Sequence, residues 1–280
     1  MHLNRFVWSM IVVLSAGLVA QTKQGHEPRM SGSDTLARAA SLATGGTTIG
    51  DVVLSGTVRH IAGSTDEAGR AELKALATGE ASIDLSLDSG PTHEVYAKGQ
   101  RSPIGEWSGP DRKPHAIAYH NLLVDPAWFC PALVLQRANA TPAELVTGFG
   151  NVTLSGRSVQ HLRVSHKLVS GQATVRMPKD VVDTMEKATQ IDLYLDPTTL
   201  LPVEMAFQLH PDNNVRQDVP IRVRYSDYRT VNGVQVPFRI QKFINNTLFL
   251  DLRLENATFN SGLAPNSFVV SDETSRRLPQ

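Results

Sequence analysis

Alternation of apolar and polar residues organises this chain. Between residues 80 and 88, Ala81, Ile83, Leu85 and Leu87 are separated by Ser82, Asp84 and Ser86, the period of a strand that buries one face. Segments 50–61, 70–77 and 92–98 carry the same period. For 70–77 the run Ala71-Glu72-Leu73-Lys74-Ala75-Leu76-Ala77 also has strong helix propensity, so strand and helix both remain open there. Alternation returns at 151–157, 159–168 and 172–177. It is clearest in the C-terminal third, where Ile191, Leu193 and Leu195 are followed by Leu201, Val203, Met205, Phe207 and Leu209, then by Ile221, Val223 and Tyr225. Val234, Val236, Phe238 and Ile240 come next, and Leu248, Leu250, Leu252 and Leu254 complete the series.

Turn chemistry ties these strands together. Asn232-Gly233 is a two-residue hairpin turn, because both positions tolerate positive φ. It sets Val231 against Val234 and Tyr225 against Ile240. Asp227 and Arg229 would then face inward, and an unpaired buried charge is costly. Either the two form an inward ion pair or a bulge near Ser226 turns Tyr228 inward, and the bulge is the expected solution. At the next turn, a two-residue loop at Asn245-Asn246 would set Ile240 against Asp251, out of phase. A three-residue loop, Ile244-Asn245-Asn246, sets Ile240 against Leu250 and Phe238 against Leu252. The pattern therefore selects the longer loop, with Asn246 left-handed. Residues 190–258 then form a five-stranded antiparallel meander with one apolar face, which must be covered.

Short helices supply the cover. Ser33 caps a helix carrying Leu36, Ala39, Ala40 and Ala43 on one side, and Gly45-Gly46 stops it. Residues 99–113 read as a Gly/Pro-rich loop holding Trp107. Within 114–149, Pro114 starts a helix through Leu123. Asp125-Pro126 starts a second, with Trp128, Phe129, Leu133, Val134 and Leu135, and Thr141-Pro142 caps a third. Lys179 to Ala188 is one more short helix. The expected fold class is mainly β (α+β): one large, curved antiparallel sheet, half-barrel-like, with short helices covering the concave face. A two-sheet sandwich is the alternative.

The N-terminus reads as an export signal. Arg5 precedes a mostly apolar stretch from Phe6 to Val19, and Ala16, Gly17 and Ala20 offer small residues for cleavage. That stretch is shorter than the ~20 residues a membrane span needs. The expected organisation is a signal peptide at 1–20, a linker at 21–32, one domain at 33–272 with a helical insert at 114–149, and a tail at 273–280. The expected location is the periplasm or the cell exterior. Cys130, the single cysteine, excludes an internal disulfide, and its setting of Trp128, Phe129 and Pro131 suits a small buried hydrophobe. Lys plus Arg and Asp plus Glu are both 27. This balance argues against a nucleic-acid partner that needs a broad basic face.

The C-terminal residues also carry a likeness. Ile191-Asp192-Leu193-Tyr194-Leu195-Asp196-Pro197, then Leu201-Pro202-Val203, Tyr225-Ser226-Asp227-Tyr228-Arg229 and Asn232-Gly233-Val234-Gln235-Val236-Pro237-Phe238 together resemble periplasmic lipoprotein-carrier-like (LolA-like) proteins and related exported bacterial proteins. The resemblance covers roughly 190–270. It implies an open half-barrel with helices in its concavity, an apolar ligand such as a lipid or a lipoprotein acyl chain, and a strand arginine that holds the helical lid. Arg59 is the candidate for that arginine.

Residue patterns for chemistry are sparse. His115 and His120, like His161 and His166, are five apart, which matches neither a helical zinc pair nor one strand face. No Gly-x-Ser-x-Gly, phosphate loop or dinucleotide fingerprint occurs. The expectation is a non-catalytic, monomeric binding protein with no cofactor and no metal. Trp107, Trp128, Phe129, Phe207, Tyr225, Phe238 and Leu252 are the expected ligand-binding residues. A structural protein whose concavity is filled by its own helices, and a secreted hydrolase, are the competing classes.

Overall fold

The computed structural model describes residues 30–141, 144–167, 178–272 and 274. The expected signal segment 1–20, most of the linker, the strand expected at 172–177 and most of the tail lie outside them. Among the described residues no helix is long and apolar enough to cross a membrane.

Helix α1 (Gly32–Thr44) comes first, and among the described residues thirteen strands form a single antiparallel sheet. One arm is a meander of β1 (Asp51–Ala62), β2 (Thr65–Leu76), β3 (Ala81–Leu87), β4 (Gly90–Lys98), β5 (Pro103–Ser108) and β6 (His115–Ala116). The other runs through β7 (Glu144–Leu154), β8 (Arg157–His166), β9 (Ile191–Leu195), β10 (Pro202–Leu209), β11 (Val219–Val231), β12 (Val234–Ile244) and β13 (Thr247–Phe259). The arms join where β1 pairs with β13, leaving β6 and β7 as the edges. The chain between those edges carries a 3-10 helix (Tyr119–Leu123) and α2 (Pro131–Ala140). It must therefore run from one rim of the sheet to the other. Helix α3 (Lys179–Ala188) connects β8 to β9.

One core holds the covered face together. Leu36, Ala39 and Ala43 of α1, Phe129, Leu133 and Leu135 of the insert, and Leu54, Leu73, Leu193, Met205, Val223, Ile240 and Leu252 of the sheet are all buried within it. The expected face of the C-terminal meander is thus the face that is covered. A smaller cluster of Leu76, Val95, Phe268 and Val270 packs the C-terminal segment against the opposite face of β2 and β4. Segment 70–77 is a strand: Ala71, Leu73 and Ala75 are buried between β1 and β3, and that pairing overrides local helix propensity.

Several local expectations are corrected. The cap of α1 is Ser31, whose hydroxyl accepts from the Asp34 N–H at 3.0 Å, and not Ser33. The 99–113 loop contains β5, so Trp107 stands on a strand. Pro114 starts no α-helix; a two-residue bridge and the 3-10 turn take its place. Asp125 caps only a turn, accepting from the Ala127 N–H, and α2 begins later with Pro131 in its first turn. No helix follows Thr141, because residues 144–154 pair with β8 as the edge strand β7.

The two hairpin turns depart from expectation in instructive ways. Val231 faces Val234 and Tyr225 faces Ile240 as the turn chemistry requires. Tyr228 is turned inward, but no residue is inserted, since Tyr228 still faces Pro237. A single left-handed residue, Asp227 at φ 55°, reverses the side-chain order. It puts Asp227 and Arg229 outside, where they form an ion pair at 2.7 Å. At the second turn the loop has two residues, Asn245 and Asn246, with φ of 49° and 63°. Ile244 faces Thr247 and Ile240 faces Leu252, with the register shift between Lys242 and Phe243. A bulge, and not a longer loop, brings the apolar faces back into phase.

Gly45 ends α1 at φ 59°, and a Cβ there would lie 2.1 Å from the Gly233 carbonyl oxygen at the tip of the β11–β12 hairpin. Gly46 has φ 77° but open space around it. Gly46→Ala is expected to cost about 1–2 kcal/mol from the left-handed backbone alone. Gly45→Ala should cost clearly more in urea unfolding, because helix and hairpin must also separate. Equal costs would mean that this contact does not hold α1 in place.

Candidate functional site

The concave face is not completely filled. One cavity of about 330 Å³ lies between Leu122–Pro126, Val134 and Ala138 on the insert side and Val164, Ile191 and Leu193 on β8 and β9. A second, of about 370 Å³, is bounded by Trp128. Ile83, Leu85 and Leu250 form its floor, and His60, Trp107, Trp128, Lys242 and Phe249 stand around it. A void of about 20 Å³ beside Phe207, also lined by Trp128, Glu94 and Lys242, adjoins this second cavity.

The sequence-expected residues divide accordingly. Trp107 and Trp128 both line the second cavity. Trp107 is 47% exposed at its rim and stacks on His115 at 4.4 Å, whereas Trp128 is buried. Phe207 borders the small void. Phe129, Tyr225, Phe238 and Leu252 are buried in the core and line neither cavity. Tyr225 instead ties the insert to β11, because its hydroxyl donates to the Trp128 carbonyl at 2.6 Å.

Other polar links hold the insert down. Gln136 on α2 bonds both the N–H and the carbonyl of Ile49 at 2.8 Å. Asn121 does the same for His210 at 2.9 and 2.8 Å. Arg137 bonds Asp125 at 2.5 Å and the Leu76 carbonyl. Arg137 thus ties α2 to the end of β2. Arg59 points away from the concavity and pairs with Asp66 on the exposed face.

Two charged residues on the covered face went unnoticed in the alternation. Ile240 faces inward, so Lys242, two residues on, must do so as well. Lys242 is buried, with its ammonium 4.4 Å from the centre of the Trp128 ring. Burial holds its pKa below the ordinary lysine value, against the charge of Glu94. Glu94 lines the same cavity from β4 and accepts from the Tyr96 hydroxyl. His60 is the inward position after Val58 on β1; burial lowers its pKa, against the charge of Glu67. The histidine pairs noted in the sequence do not converge: His161 is stacked on Phe149 and Tyr194, and His120 meets His210 edge-on.

Solved structures share this architecture. A lipoprotein-sorting protein domain from Vibrio parahaemolyticus aligns over 86% of this chain and 98% of its own, with a TM-score of 0.51 and 12% identity. A LolA superfamily protein from Nitrosomonas europaea aligns over 86% and 99%, with a TM-score of 0.53 and 11% identity. The fold is LolA-like. A DUF1329 family protein from Desulfovibrio piger has it too, with a TM-score of 0.51 and 11% identity over 85% of this chain and 95% of its own. No family model matches the sequence, and no curated protein does. The half-barrel with helices on its covered face is what these structures have in common with this chain.

Cys130 reports on the cover. It lies buried at the start of α2, and burial pushes its thiol up to about 12, so a thiol reagent reacts only when the insert opens. Tyr225→Phe leaves the buried Trp128 carbonyl without its donor, which should cost about 1–3 kcal/mol. Labelling of Cys130 in native buffer should accelerate accordingly. An unchanged labelling rate would mean that Tyr225 does not hold the insert.

Proposed function

We propose that this is an exported, non-catalytic protein that binds the apolar part of a lipid, or a lipoprotein acyl chain, in its helix-covered concavity. The observation that carries this reading is the pair of cavities, about 330 and 370 Å³, left on the covered face. Each is within the range of small-ligand sites, roughly 300–1,000 Å³, and each has mainly apolar walls. The insert that bounds both cavities packs Phe129, Leu133 and Leu135 into the core, is tied down by a few side-chain hydrogen bonds, and consists of short helical pieces rather than one rigid helix. The lipoprotein-sorting description of the Vibrio relative points the same way.

Binding is tested on the delipidated full chain. Titration with a dispersed long-chain phospholipid or a diacylated lipopeptide should saturate near one ligand per protein. Organic extraction of freshly purified protein, read by mass spectrometry, should release a lipid. Absence of both, with the protein folded, would favour the self-filled structural protein.

A further inference from the structure

The cavity between Trp107 and Trp128 contains a group that a purely apolar ligand would not need. Lys242 is 7% exposed, yet among the described residues its ammonium makes no hydrogen bond and no ion pair, only the contact with the Trp128 ring. Two more polar atoms at the cavity wall are buried without hydrogen-bond partners, the Trp128 indole N–H and Nδ1 of His60. A cation taken out of water without a hydrogen-bonded counter-charge costs several kcal/mol, and an unpaired buried N–H about 1–3 kcal/mol. An anionic oxygen group in this cavity would give the ammonium the acceptor it lacks and stand close to the indole N–H.

The surroundings choose among anions. Glu94 lines the same cavity and has its own donor in Tyr96. The cavity therefore holds one ammonium and one carboxyl side chain, a setting that penalises a doubly charged head group more than a singly charged one. A phosphate monoester carries about −1.5 to −2 at neutral pH, while a carboxylate carries one charge. Ile83, Leu85, Leu250 and Phe249 leave an apolar bed beside the charged end.

We propose that this cavity selects a long-chain carboxylate, with the head group on Lys242 and the Trp128 N–H and the chain along Ile83, Leu85 and Phe249. The proposal rests on the apolar-binding reading above and adds the head group and the residue that recognises it.

The test uses the delipidated full chain, titrated at neutral pH with dodecanoate, dodecanol and dodecyl phosphate. Thermal melting confirms that each variant is folded. Wild type should bind dodecanoate about tenfold or more tighter than dodecanol, the strength of a charge-assisted hydrogen bond. Lys242→Met should erase that preference and leave dodecanol binding intact, while Lys242→Arg should keep it. Glu94→Gln should strengthen dodecanoate binding and narrow the gap between dodecanoate and dodecyl phosphate. Equal binding of dodecanoate and dodecanol by wild type would overturn the role of Lys242 and leave apolar binding standing. Tighter binding of dodecyl phosphate by wild type would overturn the choice of a carboxylate. No binding of any of the three would overturn the apolar-binding reading itself.

Discussion

The apolar face of the sheet sets the terms for everything else in this protein. Thirteen strands at about 4.8 Å spacing make an arc of roughly 60 Å, whereas α1 and α2, of 13 and 10 residues, are about 20 and 15 Å long. Helices of that size cannot cover so wide a face if it is flat. Curling the sheet around them shortens the distance to be covered, and the common core of α1, the insert and both arms is the result. The coverage is still incomplete, and the two cavities are where it fails. These spaces are thus a consequence of sheet size against helix length.

Topology places the cover. With β6 and β7 as the two edges of the sheet, the chain joining them is committed to passing between the rims. Pro126 and Pro131 keep this chain from becoming one long helix, and it is fastened at spaced points by Asn121, Tyr225, Gln136 and Arg137. Beyond the Ile117 N–H bond to the Gly105 carbonyl, its polar fastenings to the sheet are side-chain bonds, outside the strand ladder. Lys242 sits beneath it, on the strand that both helices touch, so any ligand held there also contacts the cover through Trp128.

Much of this was legible in the sequence because alternation is a local signal. The C-terminal meander, the Asn232-Gly233 hairpin, the buried side of α1 and the half-barrel class could all be read from residue order. The failures occurred where pairing is long-range. Trp107 lies in a Gly/Pro-rich stretch that looks like a loop and becomes a strand only by pairing with β4. Residues 144–149 look like the continuation of a capped helix and become β7 only by pairing with β8. At Asp227 and at the Asn245-Asn246 turn the conflict between charge and alternation was visible, but backbone reversals of several kinds solve it equally well on paper. Four of the seven residues expected to bind ligand, Phe129, Tyr225, Phe238 and Leu252, are core, since an inward apolar side chain looks the same in sequence whether it meets a helix or a void. Lys242 needed only one further step of the Ile240 alternation. Lysine is ordinarily taken as a mark of the solvent face, and that habit hid it.

The central claim is that the insert covers a space rather than completing a core. Hydrogen exchange read by mass spectrometry over residues 119–140 tests it most directly, with Leu250 to Leu254 of β13 as the internal standard. In the free protein the insert should exchange faster than β13, and a bound long-chain ligand should slow the insert while leaving β13 unchanged. An insert as protected as β13 in the free protein, and indifferent to every long-chain ligand, would contradict the claim.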